Sequence, residues 1–360
     1  MTAFSPHAPA GLDERSSPGP FGVGAGRAGR VEIGLGLQGD KRPGEYAELA
    51  LIAESHGFDV ISVYGDLMFQ PPVVPLLEIA NATGRVRLGA ACWNPYSLHP
   101  YEIAGQVAAL DLASDGRAYL GLAQGAWLDS VGIRGRRSVR ALAEAVEVIN
   151  ALLAGEDGGF DGEVFRIEPG TRLRYPVQRS KVPVLIGTWG PKTAAVAGRV
   201  ADELKIGGTV NPAMVAVMRE RVAVGTAEVG RAPTDVGIVA GAVTVVDEDA
   251  ELARATARSE VAMYLDVVAA LDPTVALPPE MVAEVGELVR AGEHAKAGAR
   301  IPDDVLDRFA FSGTPEDVAR QAQRLIDAGV SRVEFGTPHG LRPTHGVHLL
   351  GSRVIPLLRR

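Results

Sequence analysis

The segment 181–208 contains the residues with the clearest potential for chemistry. Its first part, 181–186, is a short apolar run with the β-branched residues typical of a buried parallel strand. The sequence Gly-Thr-Trp-Gly-Pro-Lys follows at 187–192, and an alanine-rich helix then begins. Pro191 fits the first turn of this helix, because a main-chain N–H there would have no partner within the helix. Glycines that admit an anion, free N–H groups at a helix start and the Lys192 ammonium together predict a phosphate-binding loop. An ordinary strand-to-helix turn is the alternative.

Strands alternate with helices along most of the chain, which is typical of βαβ units with a parallel sheet. Eight such repeats predict a closed (β/α)8 TIM barrel rather than a doubly wound sheet. We expect residues 1–30 to be a disordered tail and 31–360 to form one barrel domain. A mostly helical insertion at about 247–311 would precede the last strand and serve as a lid or a subunit contact. The predicted strands are 31–37, 59–64, 86–92, 118–122, 181–186, 203–206, 236–246 and 331–335.

Composition narrows the function classes. The 360 residues are 46% hydrophobic and 22% charged, as in a globular protein with a large core. The net charge of −8 argues against nonspecific binding to nucleic acid or to an anionic membrane. The single cysteine excludes an intrachain disulfide and a cysteine-based zinc site, which suits the reducing cytoplasm. No apolar run reaches the roughly 18 residues of a membrane span.

In a barrel the chemistry lies at the carboxyl ends of the strands, so the residues there form the candidate site. They are mostly small residues, amides and hydroxyls, which suit a large planar ligand with a phosphate tail. The motifs of metal hydrolysis and acyl transfer, HExxH and GxSxG, are absent from the sequence, so we predict no metal site. The strand-end segments are 36–39, 64–66, 92–94, 124–125, 187–192, 207–208 and 336–339.

Three stretches resemble the luciferase-like barrel flavoproteins, and in particular the coenzyme F420-dependent branch that includes methylenetetrahydromethanopterin reductase. They are LGAACWNPYSLHPYEIAGQVAALDLASDGRAYLGLAQGAWLDSVGI (88–133), VPVLIGTWGPKTAAVAGRVADE (182–203) and FSGTPEDVARQAQRLIDAGVSRVEFGTPHG (311–340). The resemblance extends over about residues 31–355. It implies an oxidoreductase that exchanges hydride between F420 and a small organic substrate, by reduction of a C=N or an activated C=C bond.

The resemblance also implies roles for individual residues. The residues that would face the deazaflavin ring or its ribityl chain are Asp66, Ala91, Cys92, Trp93 and Asn94. A non-prolyl cis peptide bond is expected at about Ala91–Cys92, behind the ring. The coenzyme phosphate would be held by Gly187, Thr188, Trp189, Gly190, Pro191 and Lys192.

Three positions depart from the relatives. A histidine that relatives carry after the second strand is replaced by Leu67, and a first-strand glutamate of the pterin reductases is replaced by Gly36. An aspartate after the fourth strand is replaced near Ala126–Trp127. These changes favour an apolar or aromatic substrate over a pterin.

Reduction by hydride also requires a proton, so an acid should lie near the ring. Tyr64, Glu334 and His339 are the catalytic candidates, and His99 is a further possibility. The alternative for each of them is a purely structural role, such as that of an exposed histidine or a core tyrosine.

Two other functions stay open at this point. One is an FMN-dependent luciferase-like monooxygenase, and the other is a catalytically silent member that binds the coenzyme or serves as a structural subunit. By analogy with such relatives we expect a homodimer.

Overall fold

The computed structural model describes residues 30–133 and 139–359, so the predicted N-terminal tail lies almost wholly outside the described residues. Within these ranges eight parallel strands follow one another in the order β3-β2-β1-β11-β9-β8-β7-β4. Parallel bridges between Leu88 and Ala118 and between Trp93 and Leu122 join β3 to β4 and close the barrel. The predicted (β/α)8 barrel is confirmed. Its strands are β1 (Glu32–Leu37), β2 (Val60–Val63), β3 (Arg87–Ala90), β4 (Leu120–Ala123), β7 (Val184–Gly187), β8 (Glu203–Gly207), β9 (Gly237–Val246) and β11 (Arg332–His339).

Three further strands lie outside this order. The two-residue strands β5 (Phe160–Asp161) and β6 (Arg166–Ile167) form an antiparallel hairpin. It lies between the helix at Val139–Leu153 and β7. The strand β10 (Ala310–Gly313) pairs with the C-terminal half of β9. It lies along the same edge of β9 that pairs with β8 in the N-terminal half of the strand. The sequence did not predict β10, because four residues carry too short a pattern to separate a strand from the helical segment before it.

Helices surround the barrel and fill the segment before β10. Those that follow barrel strands have apolar residues on the side that faces the sheet, which is the reason they pack there. Leu142, Val146 and Ile149 on the fourth helix are an example, since all three are completely or almost completely buried. The helices are α1 (Glu45–Ser55), α2 (Val73–Ala82), α3 (Pro100–Ala113), α4 (Val139–Leu153), α5 (Pro191–Val200), α6 (Pro212–Glu228), α7 (Ala250–Ala262), α8 (Leu265–Leu271), α9 (Pro279–Arg290), α10 (His294–Gly298), α11 (Asp303–Phe309), α12 (Pro315–Asp327), α13 (Pro343–Leu349) and α14 (Ile355–Leu358), with 3-10 turns at Leu128–Val131 and Pro233–Asp235 and a π-helical turn at Leu350–Val354.

The last strand is longer than the sequence predicts. It runs to His339 instead of ending at residue 335, and it contains a cis Thr337–Pro338 peptide bond. A proline is unusual in a central strand, so the pattern indicated an end before it. Here the register on β9 shifts between Gly336 and His339, and pairing resumes beyond the proline.

The barrel interior differs from the layer between sheet and helices. A small apolar cluster inside consists of Val60, Tyr119, Leu185 and Val239, with Cys92 packed against it. Glycines occupy many other inward positions and leave room for long polar side chains. A Cβ on Gly34, for instance, would lie 3.2 Å from the Glu334 side chain and 3.3 Å from that of Arg332.

A second apolar core lies within the insertion, the name used here for helices α7 to α11 at residues 250–309. Ala257, Val261 and Leu265 belong to it, and all three are fully buried. The insertion therefore has a packed interior of its own.

No helix among the described residues combines the length and apolar character that crossing a membrane requires.

Candidate functional site

The predicted phosphate loop lies between β7 and α5. Gly190 occupies the N-cap position, and no side chain caps the helix. The first main-chain bond of the helix runs from Ala194 N to Gly190 O at 2.9 Å, so the N–H groups of Lys192 and Thr193 precede the intrahelical pattern. Such N–H groups, with the positive end of the helix dipole and the exposed Lys192 side chain, suit a phosphate.

A flat apolar floor adjoins this loop. It is formed by Cys92 at the end of β3, Ala123 at the end of β4 and Gly187 at the end of β7. A Cβ on Gly187 would lie 3.0 Å from Cys92 Sγ and 3.4 Å from the Ala123 Cβ, so only glycine keeps the surface flat. The predicted cis Ala91–Cys92 peptide is confirmed. Burial raises the pKa of the Cys92 thiol to about 12, so the floor is uncharged at neutral pH.

Tyr64 lies at the end of β2, between two glycines. A Cβ on Gly36 would come within 2.1 Å of the Tyr64 hydroxyl and one on Gly336 within 2.7 Å, so the phenol occupies the space that side chains there would need. Tyr64 is half-buried, and none of the hydrogen bonds found among residues 30–133 and 139–359 uses its hydroxyl. Burial, and then the nearby Glu334 carboxylate, raise the pKa of Tyr64 well above its usual value. The phenol is therefore a protonated donor with a free hydroxyl.

A buried charged network lies beneath Tyr64 inside the barrel. Lys205 on β8 forms an ion pair with Glu334 on β11, and both side chains are almost fully buried. Ser62 Oγ donates to Glu334 Oε2 at 2.6 Å and accepts from the Tyr119 hydroxyl at 2.8 Å. Burial opposes ionisation of Glu334, but Lys205 and Arg332 outweigh it, so its pKa is lowered. The Lys205 Nζ lies 5.0 Å from the centre of the Tyr64 ring, which links the network to the site.

Asp66 lies just beyond Tyr64 and receives a hydrogen bond from Gln38 Nε2 at 3.0 Å. Burial raises the pKa of its carboxyl, and the Gln38 bond and the Lys205 charge only partly offset this effect.

Two predicted cofactor residues have side chains engaged elsewhere. Trp93 is 4% exposed and packs in the core between sheet and helices, where its Nε1 donates to Gln106 Oε1 at 3.1 Å. Asn94 Oδ1 accepts from the main-chain N–H of Ser97 at 2.9 Å and from that of Tyr96 at 3.2 Å. The structure thus gives these two side chains a role in shaping the loop after β3.

The other proton-donor candidates are placed less favourably than Tyr64. Glu334 is ionised within its ion pair. His339 is completely buried, and one ring nitrogen, Nε2, lies 3.0 Å from Gly36 O. Burial lowers the pKa of His339 to about 4, so the ring is neutral at pH 7 and has no access to a substrate. His99 caps α3, where Nδ1 accepts from Tyr101 N at 3.1 Å.

Sequence reasoning missed Lys205, Ser62 and Tyr119, whereas Gln38 lies in the predicted strand-end segment 36–39 without an assigned role. The signal for Lys205 was a charged residue between Leu204 and Ile206 in an otherwise apolar strand. Its partner Glu334 is 129 positions away, so no local pattern could identify the pair. Both β8 and β11 pair with β9, so assembly of the sheet brings the two side chains together inside the barrel.

The fold defines the chain as a (β/α)8 barrel, a class of protein whose active sites are found at the carboxyl ends of the strands. A family model described as luciferase-like monooxygenase matches residues 22–332, and the chain belongs to this family. This confirms the resemblance found in the sequence.

Individual relatives are more specific. A 5,10-methylenetetrahydromethanopterin reductase of Methanolobus tindarius is 29% identical over 319 residues, which cover 86% of this chain and 95% of the relative. An F420-dependent glucose-6-phosphate dehydrogenase of Nakamurella multipartita is 27% identical and covers 88% of this chain and 93% of the relative.

Among solved structures, a coenzyme F420-dependent tetrahydromethanopterin reductase from Methanopyrus kandleri superimposes with a TM-score of 0.80 at 24% identity, over 91% of this chain and 99% of the other. An F420-dependent secondary alcohol dehydrogenase in complex with an F420-acetone adduct has a TM-score of 0.75 at 20% identity, over 92% of this chain and 100% of the other. Both likenesses establish the fold.

Proposed function

We propose that this chain is an F420-dependent oxidoreductase that exchanges a hydride between the coenzyme and a small apolar or aromatic acceptor, by reduction of a C=N or an activated C=C bond. The observation that carries the proposal is the uncapped start of α5 directly beside the flat floor of Cys92 and Gly187. One part suits a phosphate and the other suits a planar ring. Relatives named for F420 support this coenzyme over FMN.

The chain's own residues would bind the coenzyme in two places. Its phosphate would be held by the N–H groups of the first turn of α5 and by the loop residues Gly187, Thr188, Trp189, Gly190, Pro191 and Lys192. Its ring would rest on Ala91 and Cys92, with Asp66 at a polar edge. When bound, the coenzyme supplies or accepts the hydride.

Tyr64 would supply the proton. Its hydroxyl is free, it stays protonated because its pKa is raised, and it lies at the same strand ends as the floor. As the acceptor gains a hydride, one heavy atom of its double bond becomes basic, and the phenol donates a proton to it. The resulting phenolate regains a proton from solvent after product release.

The side chains around the site favour an apolar acceptor. Positions 36 and 67 carry a glycine and a leucine, and Trp127 in the loop after β4 is 55% exposed. Met68 and Phe69 after β2 are also exposed, at 79% and 43%. Exposed apolar side chains close to a candidate site indicate that it receives apolar ligands.

A titration of the purified protein with F420 and with FMN tests the proposal. We expect F420 to bind with micromolar or tighter affinity and FMN to bind at least tenfold more weakly. Lys192→Met should weaken F420 binding about tenfold, the effect of about 1.4 kcal/mol on a charge-assisted contact. The matched control Lys181→Met removes an exposed ammonium before β7 and should change nothing.

Preference for FMN would replace the proposal with the monooxygenase function, and binding of neither would leave a silent member of the family. We also expect a homodimer, which light scattering of the eluted protein would measure.

A further inference from the structure

The insertion is fastened to the loop that follows β8. Asn211 Nδ2 donates to Asp272 Oδ2 at 2.9 Å and to Thr274 Oγ1 at 2.7 Å, and Asp272 is only 2% exposed. A second attachment joins the same loop to the end of α11, where Arg308 O accepts from Val210 N at 2.8 Å. Beyond α11 the chain enters β10, which is paired with β9. The insertion is therefore held in its middle and at its C-terminal end against the loop at the carboxyl end of β8.

Two side chains of the insertion lie directly on the end of β8. Tyr264 precedes α8 and Val268 lies four positions later, so both are on one face of that helix. A Cβ on Gly208 would lie 3.0 Å from Val268 Cγ1 and 3.5 Å from the Tyr264 ring. Gly208 has a φ of +85°, a conformation that favours glycine. Because glycine has no side chain, Tyr264 and Val268 lie directly against the backbone of this loop.

Trp189 of the phosphate loop joins this contact from the barrel side. Its Nε1 donates to Gly207 O at 3.1 Å, and its ring packs against both the barrel core and the core of the insertion. Tyr264 is fixed as well, because its hydroxyl donates to Phe309 O at 3.2 Å. Its ring thus offers a rigid apolar surface beside the phosphate loop.

Tyr264 also belongs to the same space as Tyr64. After burial and the Glu334 and Asp66 charges, Tyr264 is among the neighbours that raise the pKa of Tyr64.

We infer that Tyr264 and Val268 form a fixed apolar wall of the substrate pocket, and that Tyr264 is a specificity-determining residue that selects acceptors with an extended alkyl or aromatic group. The inference rests on the proposed function, which sets the coenzyme on the floor opposite this wall. It assigns the insertion a fixed position beside the site, and its role there is to contact the substrate.

Binding of 3-alken-2-ones from 3-buten-2-one to 3-nonen-2-one, ketones that contain the activated C=C bond of the proposed function, tests this wall when measured by calorimetry with and without F420. With the wild type, each added methylene should tighten the Kd about threefold to fourfold until the pocket is filled. Tyr264→Ala should abolish this dependence and weaken binding of the longest ketones about tenfold. Tyr264→Phe keeps the ring and should behave as the wild type does.

Tyr175→Ala is the matched control, because Tyr175 is also partly exposed and its hydroxyl also donates to a main-chain carbonyl, that of Gly105. It should leave the chain-length dependence intact. If Tyr264→Ala does not fold, Tyr264→Leu removes the ring while keeping apolar volume and should reduce the dependence severalfold.

An unchanged chain-length dependence in Tyr264→Ala would overturn the inference, and so would a wild type that binds none of the ketones. Failure to bind F420 would instead overturn the proposed function, since the ketone series is also measured without coenzyme.

Discussion

At the scale of single residues, Tyr64 is the feature on which the proposed chemistry depends. Its position is fixed by glycines on two other strands, Gly36 and Gly336, whose missing side chains provide the space for the phenol. A larger residue at either position would displace the hydroxyl. The proton donor is therefore selected by three residues together, of which two contribute only by being small.

Replacement of this hydroxyl should affect turnover more than binding. Tyr64→Phe should lower kcat about 100-fold, the lower end of the usual contribution of a general acid, with the KM and the F420 affinity changed less than about threefold. Single-turnover oxidation of the reduced coenzyme by any acceptor that the wild type reduces would measure it. Tyr101→Phe, on α3 in the outer layer, is the control. If Tyr64→Phe kept the kcat of the wild type, another group would have to supply the proton.

At the scale of elements, the ion pair of Lys205 and Glu334 joins β8 to β11, which lie on either side of β9. Arg332 and Glu203 form a second pair on the same two strands at 3.3 Å. Glycines on neighbouring strands, Gly34 and Gly241 among them, make room for these side chains. Charge takes the place of the branched apolar layers that usually fill such a barrel.

Breaking the first pair should be costly because it leaves a buried charge without a partner. We expect Lys205→Met and Glu334→Gln each to lower the free energy of unfolding by about 3 to 5 kcal/mol. The double variant should be more stable than the sum of the two losses predicts, as urea unfolding would show. Lys296→Met, which removes an exposed pair with Glu293, is the control and should cost less than about 1 kcal/mol. Additive losses would mean that the pair is not coupled.

At the scale of the whole molecule, buried His339 makes stability depend on pH. Its pKa is about 4 in the folded chain, against about 6.5 when the chain is unfolded. Between these values the unfolded chain binds the proton and the folded chain does not. Stability is therefore fully present above pH 6.5 or so and is lost as the pH falls toward 4.

The loss over this interval should reach about 3 kcal/mol, since each unit of difference corresponds to about 1.4 kcal/mol. His339→Asn should remove this part of the pH dependence. Asparagine suits the position because His339 has a φ of +74°, which asparagine tolerates. Urea unfolding of both proteins at pH 7 and pH 5 measures the difference. If the free energy of unfolding depended on pH equally in the two proteins, His339 would not be the cause of the pH dependence.

Much of the architecture was available from local pattern. The eight barrel strands and the glycine-rich turn between β7 and α5 follow from apolar runs, helix periodicity and turn residues, each of which acts within a few positions. The family resemblance added the cis peptide at Ala91–Cys92, which the structure contains. These features depend on neighbours in the chain, so one sequence is sufficient to predict them.

The partners of individual side chains were decided by the tertiary structure. Whether Trp93 faces the site or the outer core depends on how the segment after β3 packs against α3, where Gln106 accepts its hydrogen bond. Whether His339 reaches a substrate, and which carboxylate pairs with Lys205, depend on contacts between residues more than a hundred positions apart in the chain. The barrel fold and the family could thus be predicted from the sequence alone. Which side chains share the barrel interior depended on the tertiary structure, because residues distant in the chain become neighbours only when their strands assemble into one sheet.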